Sequence, residues 1–117
     1  MILNRNFFTL IAVISLFLCF SNIVMAGEFE GSWTLDDSSG KPFEATFTSD
    51  GKASGTHGDS MKHGTWKEEN GAAVIHWNTG WTTRIEKMGD KYVKSAFKPG
   101  ASLTGTPTNT SAAIKKE

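Results

Sequence analysis

Apolar and polar residues alternate over most of the chain after residue 26, and glycine-bearing turns separate the alternating stretches. Phe43, Ala45 and Phe47 alternate with glutamate and threonine, which is the pattern of a strand with one buried face. Asn70-Gly71 separates two such stretches and is the strongest two-residue hairpin signal in the chain. About seven short strands are predicted, at intervals of about 8–12 residues. The sequence therefore predicts an all-β fold, a single antiparallel up-and-down meander that forms a small barrel or a sandwich.

The N-terminal residues 1–26 differ in composition from the rest of the chain. They contain a positive Arg5, an uncharged apolar run over Phe7–Phe20 and a small residue, Ala26, at the end. This arrangement is typical of a signal peptide that is cleaved between Ala26 and Gly27. Because the apolar run is shorter than the roughly 20 residues that cross a bilayer, we expect no stable membrane anchor after cleavage. The prediction is an exported protein, either periplasmic or secreted.

The remaining 91 residues divide into two parts. Residues 27–100 are predicted to form a small antiparallel β domain, and residues 101–117, rich in Thr, Ser and Pro, an irregular polar C-terminal segment. A chain of this length excludes multidomain enzymes and doubly wound nucleotide-binding folds. Cys19 leaves with the signal peptide, which excludes thiol catalysis in the mature chain. Its 11 basic and 12 acidic residues are scattered, which argues against nucleic acid as a partner.

Aromatic side chains are expected to supply most of the core. The residues after Ala26 include seven Ile, Leu or Val residues but nine aromatic ones. Each buried aromatic ring removes on the order of 150–250 Å² from water, so a few of them can seal a small core. The residues predicted to do so are Trp33, Trp66, Trp77, Trp81, Phe43 and Phe47.

A candidate binding surface follows from the position of two of these tryptophans. Trp77 and Trp81 flank a tight turn, so we expect at least one of them to lie at a rim. Together with Asn78 and Arg84 they form the predicted ligand-binding set, for an unknown protein, a glycan or a small apolar ligand. For Arg84, strand alternation favours the outer face of the sheet and an ion pair with Glu86 or with an acidic residue on a neighbouring strand.

A second hypothesis is a copper site. His57, Met61 and His63 lie within seven residues of one another, and His76 lies in a later predicted strand. Thioether and imidazole ligands together favour copper, which is the one cofactor that the sequence offers. Lys62 lies inside this cluster and would repel a cation. Periplasmic metal binding is therefore the alternative to a binding module that needs no cofactor.

An enzyme is the third hypothesis, and no catalytic residue is assigned for it. Ser60, His63 and Asp59 occur close together, but they lie in one loop and no Gly-x-Ser-x-Gly elbow is present. Adjacent carboxylates such as Asp36-Asp37 do not converge, because consecutive strand residues point to opposite faces. The leading prediction is thus a non-catalytic binding or structural module.

Gly31-Ser32-Trp33 opens the first predicted strand. This motif resembles the Gly-x-Trp signature of the lipocalin and calycin group. The resemblance implies an up-and-down barrel in which Trp33 packs across the bottom. The chain is shorter than lipocalin domains and its aromatic residues are bulky, so we expect a filled interior and a ligand at the rim.

Overall fold

The computed structural model describes residues 27–116, and the predicted signal peptide lies outside the described residues. Each strand pairs antiparallel with its neighbours in sequence, and the last strand pairs with the first, so the sheet is a closed barrel. The predicted all-β antiparallel meander is confirmed, in its barrel form. Within residues 27–116, no helix is long and apolar enough to span a membrane. The strands are β1 (Gly31–Asp36), β2 (Pro42–Phe47), β3 (Lys52–His57), β4 (Ser60–Glu69), β5 (Ala72–Trp77), β6 (Thr82–Met88), β7 (Lys91–Phe97) and β8 (Asn109–Lys115).

The C-terminal segment corrects the sequence prediction. The prediction of an irregular segment over residues 101–117 is wrong for Asn109–Lys115, which forms β8. The β domain therefore extends beyond residue 100 and has eight strands rather than about seven. Most side chains of β8 are small or polar and only Ala113 is buried, so the alternation there is too weak to indicate a strand. The strand forms because β1 and β7 would otherwise each leave a row of backbone groups unpaired.

Aromatic rings seal one end of the barrel, which we call the closed end and define by Phe29, Trp33, Phe47, Trp66 and Tyr92. The indole Nε1 of Trp33 donates to the carbonyl oxygen of Phe29 at 3.0 Å, and the two rings stack with centroids 6.2 Å apart. Tyr92 meets Trp33 edge-on at 5.0 Å. The ring of Phe47 lies 6.5 Å from Trp33 and 5.7 Å from Trp66. These contacts fill the interior at this end.

The predicted aromatic core is confirmed for most of its members. Trp33, Trp77, Phe43 and Phe47 are buried, whereas two tryptophans, Trp66 and Trp81, are half-buried and pack against the core cluster. The predicted core therefore spans both the closed end and the opposite end of the barrel.

Gly64 lies at the closest approach of two strands. On this inward-facing position of β4, a Cβ atom would lie 2.2 Å from the backbone carbonyl oxygen of His76 on β5. Real Cβ atoms do not come this close to another atom, and this carbonyl oxygen belongs to the backbone of β5, which is paired with a strand on each side. The missing side chain is therefore what lets β4 and β5 pair here.

Replacing Gly64 by alanine is expected to destabilise the barrel. Because β4 and β5 must move apart, the free energy of unfolding should fall by about 1–3 kcal/mol. The matched control is Gly105→Ala, where the new Cβ meets its nearest neighbour at 3.5 Å and the change should stay within about 0.5 kcal/mol. Urea unfolding measures both, and equal stability of the two variants would contradict this packing.

Candidate functional site

A cavity of about 240 Å³ opens at the end of the barrel opposite the closed end. A second depression of about 310 Å³ shares Asp37, Lys62 and Thr79 with it. Residues of the β1–β2 and β5–β6 turns line both, and the second is also lined by His57 and Ser60, which flank the β3–β4 turn at the same end of the meander. We call this region the mouth and define it by residues that line the cavity: Asp37, Phe43, Lys62, Trp77, Trp81 and Lys94.

The walls of the mouth are aromatic. Phe43 on β2 and Trp77 on β5 both point inward, and their rings meet edge-on with centroids 6.4 Å apart. The indole Nε1 of Trp77 donates to the hydroxyl of Thr83 at 2.9 Å, so its one polar atom is already satisfied. Trp81 is half-buried just after the β5–β6 turn and adds a partly open ring. The free surfaces of these three rings are therefore apolar.

Two lysines point into this aromatic setting. Lys94 on β7 is 2% exposed, and its ammonium group donates to the carbonyl oxygen of Asp36. Lys62 on β4 is half-buried, and its Nζ lies 4.2 Å from the ring centroid of Phe43 and 4.5 Å from that of Trp77. Among residues 27–116, no carboxylate oxygen lies within 4.0 Å of either ammonium nitrogen.

The carboxylate of Asp37 lies in the mouth but is engaged by its own turn. Its Oδ1 accepts from the amide and the hydroxyl of Ser39, at 2.9 and 2.7 Å, and from the amide of Lys41 at 2.9 Å. Its Oδ2 lies 2.6 Å from Nε2 of His57. These hydrogen bonds hold the pKa of Asp37 well below its usual range. The hydroxyl of Ser39 makes the largest contribution, and the amide of Lys41 makes the next largest. Asp37 thus stays ionised and stabilises the β1–β2 turn.

Burial changes the acidity of both lysines. Loss of hydration lowers the pKa of Lys62, and the charge of Asp37 opposes part of this effect. Loss of hydration also lowers the pKa of Lys94, the positive charge of Lys62 lowers it further, and the charges of Asp37 and Asp36 oppose part of this effect. The charge of Lys62 therefore acts on Lys94, and both ammonium groups lie where burial reduces their hydration.

The predicted ligand-binding set is only partly brought together. Trp77 and Trp81 both line the mouth, as the position of the β5–β6 turn suggested. Asn78 is exposed in that turn, where its amide donates to the carbonyl oxygen of His63 at 2.7 Å. Its side-chain oxygen accepts from the amide of His63 at 3.4 Å. Asn78 therefore holds the turn against β4, and it is not among the residues that line the cavity.

Arg84 lies on the outer face of the barrel. Its Nε donates to Glu86 Oε1 at 3.0 Å, so the predicted outer-face ion pair is confirmed. Its Nη1 donates to the carbonyl oxygen of Leu103 at 3.0 Å, and its guanidinium lies 5.1 Å from the ring centroid of Phe97. Arg84 thus fastens the segment between β7 and β8 to the outside of the sheet, away from the mouth.

The four predicted copper ligands lie on different sides of the sheet. His57 faces inward and contacts Asp37, whereas Met61, His63 and His76 are exposed on the outer side of β4 and β5. The β3–β4 hairpin separates His57 from Met61, because His57 pairs with Ser60, and Met61 therefore lies opposite the outward-facing Thr56. Within the described part of the chain, no three His, Cys, Asp or Glu side chains are grouped so as to hold a metal ion. Copper binding stays a prediction, and the structure does not bring its four residues together.

The mouth lysines are the site residues that the sequence reasoning missed. A weak signal was present, because Lys94 has the same parity as Tyr92 and Ala96 and so belongs to the inward face of its strand. Lys62 has the same parity as Gly64 and Trp66. A lysine at an inward position of a short barrel strand is the pattern that could have indicated them.

No family model, curated protein or solved structure matches this chain. The resemblance to the lipocalin and calycin group stays a prediction. The function is therefore argued from the geometry of the mouth.

The two mouth lysines are expected to titrate below the ordinary lysine value of 10.5. The folded barrel then binds fewer protons than the unfolded chain between the folded pKa values and 10.5, so its stability should rise with pH across that window. In Lys62→Met, removal of the like charge should raise the pKa of Lys94. Urea unfolding across that pH window measures the change in stability, and NMR titration of the lysine Cε resonances measures the pKa values; midpoints at or above 10.5 would show that the lysines are hydrated.

Proposed function

We propose that this protein is an exported, non-catalytic binding module that holds a small organic ligand in the mouth of its barrel. The observation that carries the proposal is the cavity of about 240 Å³, which is walled by Phe43, Trp77 and Trp81 in a barrel sealed by aromatic rings at its other end. Concave, largely apolar cavities with a few placed polar groups are the usual form of small-molecule sites.

The size of the cavity favours a small ligand over a protein or an extended glycan. Pockets for drug-sized molecules enclose about 300–1,000 Å³, and this one lies just below that range. A bicyclic aromatic compound has flat faces that can lie against the ring of Trp81. Offset or edge-to-face contacts between such rings add to the gain from burying their area.

The hydrogen bonds made by Asp37 in the mouth support a binding function rather than a catalytic one. Asp37, the acidic residue that lines the cavity, has both oxygens engaged by Ser39, Lys41 and His57. A carboxylate that is held ionised by such bonds is a poor general base at neutral pH, because its pKa lies far below the operating pH.

Binding is tested with a panel of bicyclic aromatic compounds in neutral, anionic and cationic forms: 2-naphthamide, 2-naphthoate and 2-naphthylmethylamine. We expect at least one to bind and to shift the tryptophan emission. Trp81→Ala should weaken that binding about tenfold, since it removes an aromatic wall, which corresponds to about 1.4 kcal/mol.

The control is Ile114→Ala, which shortens a side chain that is 61% exposed on the outside of β8 and should bind as the unaltered protein does. If no compound of the panel binds at 1 mM, or if Trp81→Ala and Ile114→Ala bind equally well, the mouth is not the binding site.

Export is the part of the proposal that rests on residues 1–26. When the full chain is expressed in a bacterial host, the exported fraction should have the intact mass of a chain that begins at Gly27. A form that keeps all 117 residues and stays in the cell would contradict cleavage.

A further inference from the structure

We infer that the mouth recognises a carboxylate, which the ammonium group of Lys62 binds directly while Lys94 adds a second positive charge behind it. The ligand is then a small organic acid whose apolar body lies against the aromatic walls. This inference rests on the proposed function and adds to it the charge of the ligand.

The first step is the missing counterion of Lys62. A half-buried charge is costly unless it is paired, and most buried charges in proteins are paired or hydrogen-bonded. Lys62 has only the ring faces of Phe43 and Trp77, which attract a cation but accept no conventional hydrogen bond from it. Within residues 27–116 its ammonium group has no ion-pair partner. An anion from outside would complete this environment.

The second step is that Asp37 is not free to become that counterion. Three hydrogen bonds to Oδ1 hold its carboxylate in the β1–β2 turn, and Oδ2 contacts His57. Moving Asp37 onto Lys62 would break these bonds and leave two backbone amides of the turn without their acceptor. The mouth therefore keeps its unpaired positive charge.

The third step concerns the path of the Lys94 side chain. Lys94 on β7 pairs in register with Ser111 on β8, yet its ammonium group reaches the carbonyl oxygen of Asp36 on β1. The side chain therefore passes over β8 at Ser111. The hydroxyl of Ser111 is buried and has no hydrogen-bond partner within the described range. Such atoms are rare in folded proteins, and this one lies on the strand beside the Lys94 side chain, although Ser111 is not among the residues that line the mouth cavity.

The balance of charge and the donor types favour a monoanion. Among the residues that line the cavity, two carry ammonium groups, Lys62 and Lys94, and one carries a carboxylate, Asp37. Arg84, whose guanidinium could bind an oxyanion through two parallel hydrogen bonds, lies on the outer face, so an anion in the mouth meets the single ammonium group of Lys62. A single carboxylate on an apolar ring matches both the charge and the walls.

The test compares 2-naphthoate with 2-naphthamide, which has nearly the same shape but no charge, by isothermal titration calorimetry. We expect 2-naphthoate to bind at least tenfold more tightly to the unaltered protein. Lys62→Met keeps an unbranched apolar stem and removes the charge, so it should abolish this preference; the readout is the ratio of the two affinities in the variant, whatever its affinity for 2-naphthamide. Lys67→Met is the matched control on the same strand, because Lys67 is 65% exposed; it should keep the preference.

Three results separate the possible failures. Equal affinity for the acid and the amide, or tighter binding of 2-naphthylmethylamine, would overturn the inference and leave the proposed function standing. No binding of any of the three compounds would overturn both. Persistence of the preference in Lys62→Met would overturn the role of Lys62.

A second measurement needs no variant, so it holds even if Lys62→Met does not fold. In the unaltered protein, the preference for 2-naphthoate over 2-naphthamide should shrink as the pH rises toward 10.5, because the mouth lysines lose their protons below that value. A preference that is constant over this range, while both compounds still bind, would contradict an ammonium group as the receptor of the carboxylate.

Discussion

The pairing of β8 with β1 is the constraint on which the rest of the structure depends. Leu35 pairs with Ala113 and Trp33 with Lys115, and this contact turns an eight-strand meander into a closed barrel without a free edge. A barrel of about eight strands has an interior just wide enough for side chains to fill. Every inward-facing residue must therefore pack against others or line an opening, including residues that are not apolar.

The sequence predicts the part of this fold that depends on strong alternation. Strands such as β2 bury one face, and Phe43 and Phe47 make that face visible, while Arg84 with Glu86 identifies an outer face. β8 could not be predicted in the same way, because its inward side chains are small or polar and its pairing is imposed by the free edges of β1 and β7. Local pattern is informative where side chains decide the structure, and it fails where backbone pairing decides it.

The residues of the candidate site also differ in how well the sequence predicts them. Trp77 and Trp81 are predictable because a short turn lies between two large rings, and the structure places both at the mouth. Lys62 and Lys94 are indicated only weakly, by their parity, because a lysine in a strand is ordinarily a solvated residue and only closure of the barrel encloses the face on which these two lie. Local disagreement between a residue type and its environment is expected at functional sites. Here it consists of two positive charges among aromatic rings.

The central claim is that the cationic, aromatic mouth is a binding site for an organic acid. A crystal structure of the protein with 2-naphthoate tests it most directly. The account predicts that the ring system lies against Trp81 and that a carboxylate oxygen lies within hydrogen-bond distance of Nζ of Lys62. A ligand bound on the outer face near Arg84, or one in the mouth with its carboxylate directed to solvent, would contradict it.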